Sequence, residues 1–293
     1  MTPLVVAAVL LAAVTHASWN ALAHGIRDQL LAFTLVGGGG AVCGAVLACF
    51  TPLPAAGAWP YLLASSVLHI VYQGLLMQSF RLGDFGQMYP IARGTAPLVV
   101  TVLAAVFVHE VPDGWALAGV ALASAGLVGL AVWGIRGGGT SHAFKAMGDR
   151  VRPHWPAIAA ALATGLSIAA YTTVDGLGVR ASETSLGYIA WLMILEGLVI
   201  PAYALATRRG RLAAELRPVA LRGLAGGLLS VIAYGLVLWA QTRAPLAPIA
   251  ALRESSIIVG AAIGTLFFKE RFGLPRLAAA GVMVVGIGLM LAG

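Results

Sequence analysis

Charge is what this sequence most lacks. Of 293 residues 10% are charged, 18 Lys and Arg against 11 Asp and Glu, while 60% are hydrophobic and the mean hydropathy is +0.92. A soluble domain carries roughly 25% charged residues because its surface faces water, so a water-covered globule of this size is excluded. Cysteine is nearly absent as well: Cys43 and Cys49 are the only two, and both fall in one apolar segment. That excludes a disulfide framework and a zinc-type ligand set, and reads them as small packing residues. Alternating segments are missing too. Ala116–Val132 and Leu277–Leu291 run apolar without alternation, unlike the roughly 10-residue alternating strands of an outer-membrane barrel. The first apolar segment has no basic leader or obvious cleavage site, so it reads as a retained helix rather than a signal peptide. Finally, no Lys-Ser/Thr follows the glycine runs Gly37–Gly40 and Gly137–Gly139, which excludes a phosphate loop and leaves ATP-driven transport by this chain alone unsupported. No cofactor is expected.

What is present is apolar material in lengths that suit a bilayer, where a helical span needs about 20 residues. Segments fall near 3–24, 30–50, 58–81, 85–108, 114–134, 156–179, 185–207, 219–241, 245–268 and 273–292. The expected fold is therefore an all-α integral membrane protein of about ten transmembrane helices. Its organisation reads as an N-terminal five-helix repeat over 1–135, a polar connection over 136–155, and a C-terminal five-helix repeat over 156–293. A net charge of +7 would suggest nucleic acid in a soluble protein. Here the charges lie in loops. Loops after odd-numbered spans hold Arg27, Arg81, Arg136, Lys145, Arg150, Arg152, Arg208, Arg209, Arg211, Arg217, Arg222, Lys269, Arg271 and Arg276, and those after even-numbered spans hold only Arg180 and Arg243. Positive loops stay inside, so the odd loops are expected in the cytoplasm and both termini outside, in a cell inner (plasma) membrane.

Sliding the chain against itself by 160 residues pairs Arg93 with Arg253, Val99 with Val259, Phe107 with Phe267 and Glu110 with Glu270. Leu117, Ala118 and Gly126 meet Leu277, Ala278 and Gly286 at the same offset. The arginines and glutamates are rare residues, and they carry the argument for a repeat. An offset of 152 brings Trp19 to Tyr171. Five spans per half would give the halves opposite orientation, which is the layout of carriers that bind solute near the midplane and work by alternating access.

These features resemble the drug/metabolite transporter superfamily, in its ten-helix EamA-type branch, over essentially the whole chain. The resemblance rests on the segment from His16 through Trp19–Asn20, and on the two arginine-to-glutamate segments. Those end in Val108–His109–Glu110 and Phe268–Lys269–Glu270, each before a Gly-rich final span. It implies a proton- or gradient-linked carrier, often an exporter of amino acids or other metabolites, with aromatic amino-acid exporters among the nearer relatives. It also implies cytoplasmic termini, where the loop charges here place them outside.

Polar residues within apolar spans are costly, by roughly 2.5–3.5 kcal/mol for a charge on insertion scales, and turn toward a cavity or a partner. His16, Trp19 and Asn20 share one helix face at i, i+3 and i+4, and His69, Tyr72 and Gln73 repeat that spacing. Such faces suit a pocket for a small polar or zwitterionic solute; the alternative is hydrogen bonding between helices. Tyr89 and Arg93 lie between Pro90 and Pro97, while Arg253 and Glu254 follow Pro245 and Pro248, so these two spans are expected to bend or open near the arginines. A guanidinium there either binds a solute carboxylate or pairs with Glu196, Glu254 or Asp175. Tyr171, Thr172, Tyr234 and Trp239 are further lining candidates. Trp59, Trp115, Trp133 and Trp155 suit the interfacial belt. The spacings Gly40–Gly44, Gly223–Gly227 and Gly260–Gly264 suit close helix packing.

Two other classes compete. An intramembrane enzyme finds little support, because His109–Glu110 is followed by Pro112 and Asp113 rather than a second histidine. Gly165–Leu166–Ser167 likewise lacks a nucleophile context. A channel differs from a carrier in having no saturable counterflow.

Overall fold

A computed structural model of the chain describes all residues except 25, 27, 83–84, 134–154, 269–273 and 293. The expected connection over 136–155, except Trp155, therefore lies outside the described residues, as do Lys145, Lys269 and Glu270. Among the described residues the chain is helical and contains no strand. The helices are α1 (Pro3–His24), α2 (Gln29–Ala48), α3 (Trp59–Leu82), α4 (Phe85–Leu103) with a π-turn over Ala104–Val108, and α5 (Gly114–Trp133). They continue as α6 (Trp155–Ala181), α7 (Ser185–Gly197), α8 (Val199–Arg208), α9 (Leu212–Leu216) and α10 (Ala220–Gln241). The last three are α11 (Leu246–Arg253), α12 (Ser256–Phe268) and α13 (Leu274–Ala292). Five helical stretches of the described residues are long and apolar enough to cross a membrane: Pro3–Ala23, Gln29–Ala48, Ile91–Val108, Trp155–Ala181 and the run Ser185–Gln241.

Large apolar side chains point outward along these helices, with Leu4 67%, Val42 62% and Leu221 84% exposed. The buried positions are dominated by alanine, valine and leucine. In water such an outer surface would be an aggregation hazard. Against lipid tails it is the solvated face, and small residues become the means by which helices approach. The chain is a multi-pass membrane protein.

The chain forms two compact units. Unit 1 comprises Met1–Ile70, Val174–Pro245 and Leu252–Arg271; unit 2 comprises Val71–Thr173, Leu246–Ala251 and Phe272–Gly293. Each draws helices from both sequence halves. In unit 1, α2 packs against α7 and α10 through glycine. A Cβ on Gly37 would stand 3.1 Å from the Gly197 carbonyl oxygen, one on Gly44 would stand 2.6 Å from that of Ala190, and one on Gly227 would stand 2.9 Å from the Gly40 nitrogen. In unit 2, α5 packs against α13 in the same way. A Cβ on Gly286 would stand 2.7 Å from the Gly119 oxygen, and one on Gly126 would stand 3.1 Å from the Ala279 oxygen. Contacts 119–286 and 126–279 advance along one helix as they retreat along the other, so α5 and α13 run antiparallel. Of the three GxxxG spacings, those at 40 and 223 sit at crossings, but Gly260 has open space around it.

Helix ends follow the side chains that serve them. Asp28 caps α2 by accepting from Leu30 and Leu31 N–H at 3.0 and 3.4 Å, Asp113 caps α5 through Ala116 at 2.8 Å, and Thr184 caps α7 through Gly187 at 3.0 Å. The bends expected around the arginines divide. The ninth apolar segment breaks immediately after Arg253, at Glu254–Ser255, whereas α4 runs unbroken past Arg93 and departs from α-geometry only at the π-turn. His109 then closes it with φ 57, a left-handed residue that lets the Glu110 N–H return to the Ala104 carbonyl at 3.1 Å.

Candidate functional site

A buried polar cluster lies in unit 1, built by four helices. From α3 come Ser65 and His69, from α6 Asp175, from α7 Tyr188 and Glu196, and from α10 Tyr234. The Tyr188 hydroxyl donates to Asp175 Oδ1 at 2.9 Å, and the Tyr234 hydroxyl donates to Asp175 Oδ2. Both carboxylate oxygens are thereby engaged, which a fully buried aspartate requires. His69 Nδ1 lies 3.0 Å from the Ser65 carbonyl oxygen, 3.1 Å from Ser65 Oγ and 3.5 Å from Glu196 Oε2. A carbonyl oxygen only accepts, so Nδ1 carries a hydrogen. The His69 ring meets the Tyr234 ring edge to face at 5.4 Å, and the Arg253 guanidinium stands 5.7 Å from the centre of that same tyrosine ring. Glycine makes the cluster possible: a Cβ on Gly178 of α6 would strike the Tyr188 ring.

Several sequence candidates meet in this unit. His69, Tyr234 and Arg253 come together as described. His16, Trp19 and Asn20 form a second face on α1, where the Trp19 indole N–H donates to His16 Nδ1 at 3.3 Å and the Asn20 amide donates to the His16 carbonyl at 2.8 Å. His16 and Trp19 rings pack edge to face at 5.3 Å. In unit 2, Tyr72 and Tyr171 stack edge to face at 5.6 Å, Gln73 is half-buried, and Arg93 is 2% exposed within α4. The side chain of Tyr89 lies outside the described residues.

Residues that sequence reasoning missed or misassigned are informative. Ser65 and Tyr188 were not singled out. Asp175 and Glu196 were read only as counter-ions for arginine, whereas Asp175 holds two tyrosines and Glu196 faces His69. Glu110, which marked the repeat, accepts the Leu246 N–H at 2.8 Å and so caps the first turn of α11. Arg180 donates to the Gln241 and Ala244 carbonyls at 2.8 and 3.2 Å, at the C-terminal end of α10 where cations are favoured.

Outside the spans, Arg208 bridges Asp28 at 2.6 Å and Glu215 at 2.8 Å. Partial burial works against ionised Asp28, but the guanidinium and the two backbone N–H groups outweigh it and hold the carboxyl below its ordinary value.

Residues 155–292 match the EamA-like transporter family, within the drug/metabolite transporter superfamily. No curated protein matches the chain. One solved crystal structure is similar over 99% of this chain and 96% of its own, with a TM-score of 0.67 and 15% sequence identity. At that identity the likeness is one of fold.

Proposed function

We propose that the chain is a secondary carrier, an exporter of small metabolites and of amino acids foremost, that works by alternating access in the inner membrane. Two inverted five-helix repeats, ten spans in all, provide the moving parts. The observation that carries this reading is the symmetry of the glycine contacts. A two-fold axis relating residue n to n+160 requires that a contact between i and j+160 be mirrored by one between j and i+160. In unit 2, 119+160 is 279 and 126+160 is 286, and the observed pairs are 119–286 and 126–279. In unit 1, 37+160 is 197, and Gly37 meets Gly197, the self-paired case. Because α5 and α13 are antiparallel, such an axis crosses them, and for helices along the membrane normal it lies in the membrane plane. That is the inverted layout associated with carriers. The family match at 155–292 supports the same class of protein.

Within unit 1, Arg253 is the proposed partner for a solute carboxylate, with Tyr234, Trp19 and Asn20 supplying ring faces and amide groups. Purified protein in liposomes loaded with unlabelled amino acids should take up labelled amino acid by saturable counterflow. Flux that rises linearly with concentration would favour a channel, chemical conversion of the solute would indicate an enzyme, and absence of counterflow with every amino acid would overturn the substrate class.

A further inference from the structure

Most arginines whose side chains the structure describes are engaged. Arg93 and Arg253 are buried, Arg180 serves the end of α10, Arg208 holds Asp28 and Glu215, and Arg243 stands over the Trp239 ring at 4.5 Å. The rest, Arg209, Arg211, Arg217 and Arg222, are exposed, and among the described residues no carboxylate pairs with them. All of these lie in or beside the short connection between α8 and α10, where the one acid, Glu215, is already bound to Arg208. The connection is pinned to unit 1. Leu212 is buried among Ala23, Ile26, Ala32 and Ala204, with Leu216 and Val219 packed beside it, and Arg208 ties its start to Asp28 at the head of α2. Its apolar side is thereby covered, and its arginines are left outside.

The surface next to these arginines is apolar. Tyr203 and Leu205 on α8, and Leu221 and Leu224 on α10, are exposed, and both helices belong to the apolar run Ser185–Gln241. On a multi-pass membrane protein, exposed leucines mark the level of the acyl chains, and a tyrosine near a helix end marks the interface. Arg209 and Arg217 follow and precede those leucines by about one helical turn, and Arg222 adjoins Leu221. That is headgroup depth. Arg209 adds a separate observation: its φ is 42 and its ψ −129, a conformation open to glycine and strained for a residue with a Cβ. Strain kept at such a position, with Gly210 next to it, points to a use for the side chain. We propose that Arg209, Arg211, Arg217 and Arg222 form a docking surface for anionic phospholipid headgroups in the leaflet at this end of α8 and α10. Guanidinium groups bind phosphate oxygens in pairs, and basic clusters beside a span attract anionic lipid. A free phosphate offers the same oxygens without acyl chains, and the exposed leucines beside the arginines favour the lipid. No transported solute enters this inference, so it stands or falls apart from the carrier reading.

The test titrates the purified protein, in a nonionic detergent, with fluorescent phosphatidylglycerol and with the matched phosphatidylcholine. Wild type should prefer phosphatidylglycerol, and the preference should shrink between about 0.1 and 1 M salt as the Debye length falls from about 10 to 3 Å. Each arginine near an anionic surface contributes about fivefold. Arg209→Gln combined with Arg211→Gln should therefore remove most of the preference, and Arg217→Gln combined with Arg222→Gln should do the same. Arg243→Gln removes an equal charge elsewhere and should leave the preference intact. Lysine at 209 and 211 keeps the charge and should retain most of it. Arg209→Gly separates binding from folding: the melting temperature should rise as the backbone relaxes, while the preference falls about fivefold. A preference absent in wild type, unchanged by R209Q with R211Q, or lost equally in R243Q overturns the inference. So does inorganic phosphate that displaces the lipid as well as unlabelled phosphatidylglycerol does, because the arginines then serve a free anion.

Discussion

Gly286→Ala tests the helix crossing on which the symmetry argument depends. The new methyl would stand 2.7 Å from the Gly119 carbonyl oxygen and 2.9 Å from the Ala123 nitrogen. Both are backbone atoms, so no side chain can swing aside and α5 and α13 must separate by several tenths of an ångström. Overpacking of this kind costs about 1–3 kcal/mol. Exchanging glycine for alanine within a helix returns roughly 0.8–1 kcal/mol in backbone propensity, which leaves a net loss of up to about 2 kcal/mol. Gly281 and Gly288 on the same helix have nothing within 4 Å of an added Cβ, so alanine there should gain the propensity without the clash. Thermal unfolding of the purified variants in one detergent should therefore rank Gly286→Ala and Gly119→Ala lowest. Gly126→Ala, with its nearest atom at 3.1 Å, should fall between, and Gly281→Ala and Gly288→Ala should lie at or above wild type. If Gly286→Ala melts with Gly281→Ala, the two helices do not cross at this point and the two-fold argument collapses.

Four further outcomes follow from named contacts. Tyr188→Phe strips a hydroxyl from buried Asp175 and should lower stability by about 1–3 kcal/mol, read by the same melts; an unchanged melt would show that this oxygen is served otherwise. Asp28 is held below its ordinary carboxyl value, so its contribution is present at neutral pH and is lost as pH falls from about 3.9 through the depressed folded value. With about a third of each side chain exposed it amounts to less than about 1 kcal/mol, and Arg208→Ala should flatten that acid limb of the stability profile. Single cysteines at Arg209 and Arg243, with Cys43 and Cys49 replaced, should label from the cytoplasmic side and the outside respectively; the reverse pattern would overturn the orientation drawn from loop charges. Asn20→Ala should weaken transport while the amount of folded protein in membranes holds; normal transport in that variant removes Asn20 from the solute contacts.

Hydropathy located the helices because lipid imposes one requirement on every span, and a run of apolar residues is how that requirement is written. It missed the break at Leu198, which is flanked by apolar residues on both sides, whereas the break at Glu254–Ser255 falls beside Arg253, where Pro245 and Pro248 had pointed to a bend or opening. Proline alone did not decide the matter either, since α4 carries Pro90 and Pro97 and stays helical through Leu103.

The polar cluster was visible one residue at a time and invisible as a cluster. His69, Asp175 and Glu196 stand out in sequence because ionisable side chains are rare in spans. Deciding which of them meet needs the facing of each helix, and facing is read from an apolar stripe set against a polar one. Helices apolar on all sides carry no such stripe, so Glu196 was as eligible to face an arginine as a histidine 127 positions earlier (196 minus 69). Glycine supplies the facing that hydropathy withholds, because a backbone can approach only where the Cβ is missing. Gly37, Gly119, Gly126, Gly197 and Gly286 mark the crossings. The same logic explains why α6 carries Gly178 opposite Tyr188: the glycine admits the ring, and the ring brings its hydroxyl to Asp175.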